Sequence, residues 1–189
     1  MSRLAESLNA LVGELTTRGS PVSSLLVPGL AEEEIKSRLS AAGIRAHPDV
    51  ISLYAWHNGL DRFRAPASSD GIPSLFPLHM EFSALDESIE TFADLLRNAQ
   101  RFPDSEQVWS RSWFPVFKGG GSEYLLVNGQ SHDGGSLWAH PIQDAPRRLY
   151  NSIADGAAAV RQALLDGHLA LDHAGVFTRD SARRSGLQI

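Results

Sequence analysis

The chain contains no cysteine, only two methionines and only two lysines, Lys36 and Lys118, among its 189 residues. Without cysteine there are no disulfides and no thiolate metal ligands, a composition that fits a reducing compartment. No stretch approaches the ~18 uninterrupted apolar residues of a membrane helix. Arg3 is followed by an amphipathic pattern broken by Glu6, Asn9 and Glu14, so no export signal is expected at this end. Together these point to a cytoplasmic protein. A formal net charge of −5 argues against nucleic acid as a direct ligand and permits a basic protein partner. What remains is ordinary for a globular domain, with 42% hydrophobic and 21% charged residues.

The most informative stretch is Trp113–Asn128, W-F-P-V-F-K-G-G-G-S-E-Y-L-L-V-N. Two apolar runs flank three consecutive glycines, which predicts two strands joined by a turn. The second run is apolar at every step from Tyr124 to Val127, so it belongs centrally in a sheet. A phosphate loop would need its lysine after the glycines and a helix next. Here Lys118 precedes them and a strand follows. Ser122 likewise lacks the second glycine of a nucleophile elbow.

Helical spacing of Leu4, Leu8, Leu11, Val12 and Leu15 predicts a first helix over about 16 residues, ended by Gly19, Ser20 and Pro21. A second runs from about Ala31 to Ala42, with Glu32, Glu33 and Glu34 at the positive end of its dipole. Pro48 opens a third, expected to carry His57 on its inward stripe and to close at Asn58-Gly59. Residues 61–74 read as a mobile surface loop and Leu75–Met80 as a short strand. Ser83-Ala-Leu-Asp86 reads as a capping box opening a helix to about Gln100, and 103–112 as a loop. Ser136–Pro141 and Arg147–Tyr150 supply two further strands. Ser152 caps a last helix, which Gly167 stops. A domain over residues 1–172 and a frayed tail over 173–189 follow from this order. The expected class is α+β, a single domain with helices packed on a mostly antiparallel sheet that leaves one face available.

In that order the chain resembles the SUKH superfamily, the group containing the yeast cell-wall assembly regulator and many bacterial toxin-immunity proteins. The matching pieces are Gly29-Leu-Ala-Glu-Glu-Glu-Ile35, His47-Pro-Asp-Val-Ile-Ser-Leu-Tyr54 and Trp56-His-Asn-Gly59. They continue with Trp113-Phe-Pro-Val116, Gly119-Gly-Gly-Ser-Glu-Tyr124, Gly135-Ser-Leu-Trp138 and the helix from Ser152, covering roughly residues 25–170. The resemblance makes Trp56, Asn58, Gly59, Trp113, Pro115, Gly119, Gly120, Gly121, Glu123 and Trp138 scaffold residues. Ala31 departs from the serine-like cap usual in the family. Loops 61–74 and 101–112 also differ. The resemblance implies a non-enzymatic module without cofactor or metal, monomeric or weakly dimeric, that occludes a cognate toxin. A regulatory scaffold binding host proteins is the alternative.

The surface expected to meet such a partner is acidic. Glu81, Asp86, Glu87, Glu90 and Asp94 fall in a window with no lysine or arginine, and Glu87, Glu90 and Asp94 share a helix face. Uncompensated charge of this kind would steer a basic partner such as a toxin domain. Competing readings rest on lone groups. His132 and Asp133 are adjacent and point apart on an extended chain, and His140 stands by itself, so loop polarity explains them more simply than a metal or catalytic role does. A hydrolase would have to use Glu123 or His132. Trp56, Trp113 and Trp138 are expected as core or rim aromatics whose indole N–H needs an acceptor.

Overall fold

The computed structural model describes residues 2–45, 47–66, 71–77, 80–101, 109–120, 123–129, 135–140 and 146–178. Helix α1 (Arg3–Thr17) is capped by Ser2, whose hydroxyl accepts the Ala5 N–H, and buries Leu4, Leu8, Leu11 and Leu15 along one side. A one-turn helix, α2 (Val22–Leu25), leads into β1 (Leu26–Pro28), two elements that the turn residues around Pro21 conceal. Helix α3 (Glu32–Ala41) starts at Ala31 without a side-chain cap, leaving its three glutamates to favour the helix start through the dipole.

Helix α4 (Pro48–Trp56) begins with proline at its first turn, and His47 Nδ1 accepts the Asp49 N–H at 3.1 Å. It ends at Trp56, two residues before the expected stop. His57 is extended (φ −151°, ψ 153°) and opens β2 (His57–Leu60), antiparallel to β1 with Pro28 opposite His57. Pairing with β1 thus overrides helix continuation, and His57 does not belong to the α4 stripe. Its Nδ1–H donates to the Val27 carbonyl at 2.8 Å, and its ring lies edge-on to Trp56.

Among the described residues of 75–80 no strand is formed; an isolated bridge joins Phe76 to Met80, and β3 (Glu81–Phe82) follows it. Pro73 through Pro77 are buried, so this end of the expected surface loop belongs to the core. The rest of the sheet is β4 (Trp113–Lys118), β5 (Tyr124–Asn128), β6 (Ser136–His140) and β7 (Arg147–Tyr150), with α5 (Leu85–Arg101) before it and α6 (Ile153–Leu165) after it. The order is β3-β4-β5-β6-β7, antiparallel throughout, with β5 central and buried along its whole length. Among the described residues, six α-helices with these two sheets define a single-domain α+β protein.

Residues paired directly across an antiparallel ladder share a face. Phe114, Val127, Leu137 and Tyr150 align on one, as do Phe117, Leu125 and Ala139. This face meets the helices: Phe114 lies against Tyr54 of α4 and Phe92 of α5, and Phe117 against Phe76 and Phe82. Gly156 lets α6 approach closely, since a Cβ there would stand 3.0 Å from Tyr150. The other face carries Trp113, Pro115, Leu126, Trp138, Tyr124 and His140. It is not open as expected, for Leu126 and His140 are buried and only Trp113 and Trp138 are half-exposed. The chain does not fray at His173 either: Leu171 bridges to Phe177, and Val176 and Phe177 are buried. The remainder of the expected tail, 179–189, lies outside the described residues.

Candidate binding surface

The five acidic residues come from β3 and α5, and most are already paired. Arg38 of α3 donates both to Asp86, at 2.8 and 2.9 Å, and to Glu34. Arg62 reaches Glu81 at 3.9 Å and Glu87 at 3.5 Å. Arg97 pairs with Asp94 one turn away. Of the five, only Glu90 has no ion pair among the described residues. The window that looks uncompensated in sequence is therefore partly compensated, by arginines from other elements and from the next turn, with Arg38 and Arg62 each shared between two carboxylates. Exposed pairs of this kind contribute about 0–1 kcal/mol each, and they weaken without cancelling the negative field of this face. Burial pushes the Glu81 carboxyl up from its ordinary range, Arg62 opposes that, and Glu87 reinforces it.

The start of α5 also differs from the expected capping box. Ser83 is committed to the sheet edge, its N–H bonding the Val116 carbonyl, and the helix opens two residues later. Glu87 turns back to accept the Ala84 N–H at 3.4 Å, the reciprocal half of such a box. The other half comes from a distance, as Asn58 Oδ1 accepts the Leu85 N–H at 2.9 Å.

Beside this face stands a short 3-10 helix, Arg62–Arg64, capped by Asp61, which accepts the Phe63 N–H at 3.2 Å. Phe63 is 89% exposed, against 45% for Leu165, the other exposed large apolar side chain among the described residues. The Arg62 guanidinium lies 5.4 Å from the Phe63 ring centroid while it spans Glu81 and Glu87. An apolar knob is thereby held at the margin of the acidic face. Nothing in the sequence singles Phe63 out, because its exposure depends on how the chain from β2 is routed.

The glycine turn joins two strands, with the Gly119 N–H donating to the Glu123 carbonyl at 2.8 Å, rather than leading a strand into a helix as a phosphate loop does. Glu123 is half-buried and its side chain lies over Gly119, while a Cβ at Gly120 would meet nothing within 4 Å among the described residues. Gly121, Ser122, His132 and Asp133 lie outside the described residues. Among the described residues no group of three or more His, Asp or Glu side chains could hold a metal ion.

On the second sheet face Trp113 and Trp138 stack at 6.3 Å, and Trp109 packs against Trp113, Tyr124 and His140. Trp138 donates to Ser136 at 2.8 Å and Trp56 to Asn9 at 2.8 Å, so each satisfies its indole within the domain. Trp109, which the loop reading of 103–112 passes over, is buried, and its indole N–H has no hydrogen-bond partner among the described residues. An open depression of about 570 Å³ at the end of α5 is lined by Asp94, Arg97, Asn98, Gln100 and Arg101, and the Arg97–Asp94 pair already occupies part of it.

No helix among the described residues is long and apolar enough to cross a membrane. The chain matches no protein-family model and no curated protein.

Proposed function

We propose that this chain is a cytoplasmic protein-binding module, an immunity protein of the SUKH kind that neutralises a cognate toxin by covering its active surface. The observation that supports the reading best is Phe63, an exposed aromatic ring set in a charged rim formed by Arg62, Glu81 and Glu87. Binding energy concentrates in such arrangements of an apolar anchor ringed by polar groups. Glu87, Glu90 and Asp94 would steer a basic partner through the negative charge that the arginines leave, and Glu87 and Glu90 would add complementarity at short range. Occlusion requires a packed interface of roughly 1,600 Å² and no reactive group.

Affinity capture with the full chain from its source cells, followed by titration of the captured partner, tests this. Glu87→Arg with Glu90→Arg should weaken association at least ~10-fold, as charge reversal at a complementary interface does. Unchanged affinity at low salt removes this face as the docking site. If the partner arrests growth when expressed alone and the chain relieves the arrest, the immunity reading stands; a harmless partner favours the regulatory scaffold.

A further inference from the structure

The chain contains two Asn-Gly pairs, Asn58-Gly59 and Asn128-Gly129. A glycine after asparagine opens the side-chain amide to attack, because no Cβ shields the following backbone nitrogen or restricts its rotation. In the first pair the Gly59 nitrogen would bond to Asn58 Cγ while the amide nitrogen leaves as ammonia, taking the proton that Gly59 gives up and closing a five-membered succinimide. Water then opens the ring at one of its two carbonyls. Breaking the bond to the side-chain carbonyl leaves aspartate. Breaking the bond to the main-chain carbonyl leaves isoaspartate, whose main chain runs through the side-chain carbon.

The two pairs lie in different surroundings. Asn128 is 4% exposed on the central strand β5, and the Gly129 N–H is held by the Ser112 carbonyl at 2.8 Å. Asn58 is half-buried on β2, in a sheet of two strands, where its side-chain oxygen takes the Leu85 N–H. Both members of this pair serve the β2–α5 joint: Asn58 supplies the cap, and Gly59 has a positive φ with no room for a Cβ beside Ala84. The labile pair therefore cannot be exchanged without loosening the joint. Ring closure needs the backbone to turn until the Gly59 nitrogen meets Cγ. Pairing of β2 with β1 and the bond to Leu85 both oppose that turn, so attack waits for the joint to open. A two-stranded sheet opens locally before the central strand of five does.

We propose that Asn58 is a site of spontaneous deamidation, reached through local opening of the β2–α5 joint, and that its isoaspartate product keeps the joint from closing again. The extra main-chain carbon shifts β2 against β1 and withdraws the cap from α5, the helix that carries Asp86, Glu87, Glu90 and Asp94. The aspartate product retains its acceptor and leaves the joint closed. The inference is independent of what the acidic face binds.

Incubation of the full chain in mildly alkaline buffer, native and in urea, followed by peptide mass mapping, gives the rate of amide loss at each asparagine. Native-state hydrogen exchange gives the protection of the Leu85 amide. The native chain should lose the Asn58 amide at least ~10-fold faster than that of Asn128, and at least ~10-fold more slowly than it does in urea. The slowing relative to urea should match the exchange protection at Leu85, as a shared opening requires. Chains with isoaspartate at 58, separated chromatographically from those with aspartate, should lose Leu85 protection at least ~10-fold, while the aspartate chains keep it. Equal rates at Asn58 and Asn128 in the native chain would mean that global unfolding alone exposes both, and overturn the proposal. So would a native Asn58 that reacts as fast as in urea, or isoaspartate chains with undiminished Leu85 protection.

Discussion

Asn58 and Leu85 are 27 residues apart, yet the side-chain oxygen of the first accepts the backbone N–H of the second at 2.9 Å. A residue in β2 therefore caps α5, the helix that carries most of the acidic face. Gly59 follows with φ +89°, and a Cβ there would stand 2.7 Å from the Ala84 nitrogen. The Trp56-His-Asn-Gly run is thus the joint between the small β1–β2 sheet and the start of α5.

Replacing Asn58 with alanine should lower stability by about 0.5–2 kcal/mol, the usual loss for a helix N-cap. Asn58→Asp keeps the acceptor and adds a charge that the helix start favours, so it should retain most of the stability. Urea denaturation of the three proteins measures the difference.

His47 caps α4 through Nδ1, which accepts a hydrogen bond only while it carries no proton. Burial lowers its pKa from the ordinary value of 6.5, with the Asp49 carboxylate opposing and Arg45 reinforcing the shift. Below pH 6.5 the folded state then binds fewer protons here than the unfolded state, so this contribution to stability is present above 6.5 and is lost as pH falls. His47→Asn keeps a capping oxygen without the titration, and its melting temperature should vary less between pH 7 and pH 5 than that of the wild type.

Tyr54 and Ser88 are both buried, and the tyrosine hydroxyl donates to the Ser88 oxygen at 2.8 Å. Burial holds the Tyr54 phenol far above its ordinary range, so it stays neutral at every working pH. Tyr54→Phe should cost about 1–3 kcal/mol, because it strands the serine hydroxyl. Adding Ser88→Ala should recover part of that, whereas strict additivity in a double-mutant cycle would deny the coupling.

Two glycine substitutions should move stability in opposite directions. At Gly29 a Cβ would overlap the carbonyl oxygen of Ala55, so Gly29→Ala should destabilise by at least ~2 kcal/mol or displace α4. At Gly13, exposed on α1, a Cβ meets nothing within 4 Å, and Gly13→Ala should stabilise by about 0.5–1 kcal/mol. Thermal melts of both variants give the signs directly.

Periodicity, turn residues and caps sufficed for α1, α3, α6 and strands β4 to β7, because those signals act over a few residues. Ser152, for example, accepts the Asp155 N–H at 3.1 Å as its position before the last helix requires. The places where local signals misled are those where a distant segment competes. His57 left the helix to pair with β1, Ser83 left its capping role for the sheet edge, and Val176 and Phe177 found room in the core.

The sequence by itself determined an α+β domain with a central apolar strand, because burial of that strand follows from its composition. Only the tertiary structure decided what the acidic face is. Arg38 meets Asp86 across 48 residues and Arg62 meets Glu87 across the β2–α5 joint, so charges uncompensated along the chain are paired in space. The same routing left Phe63 exposed, since whether an apolar side chain is covered depends on which segments the fold brings beside it.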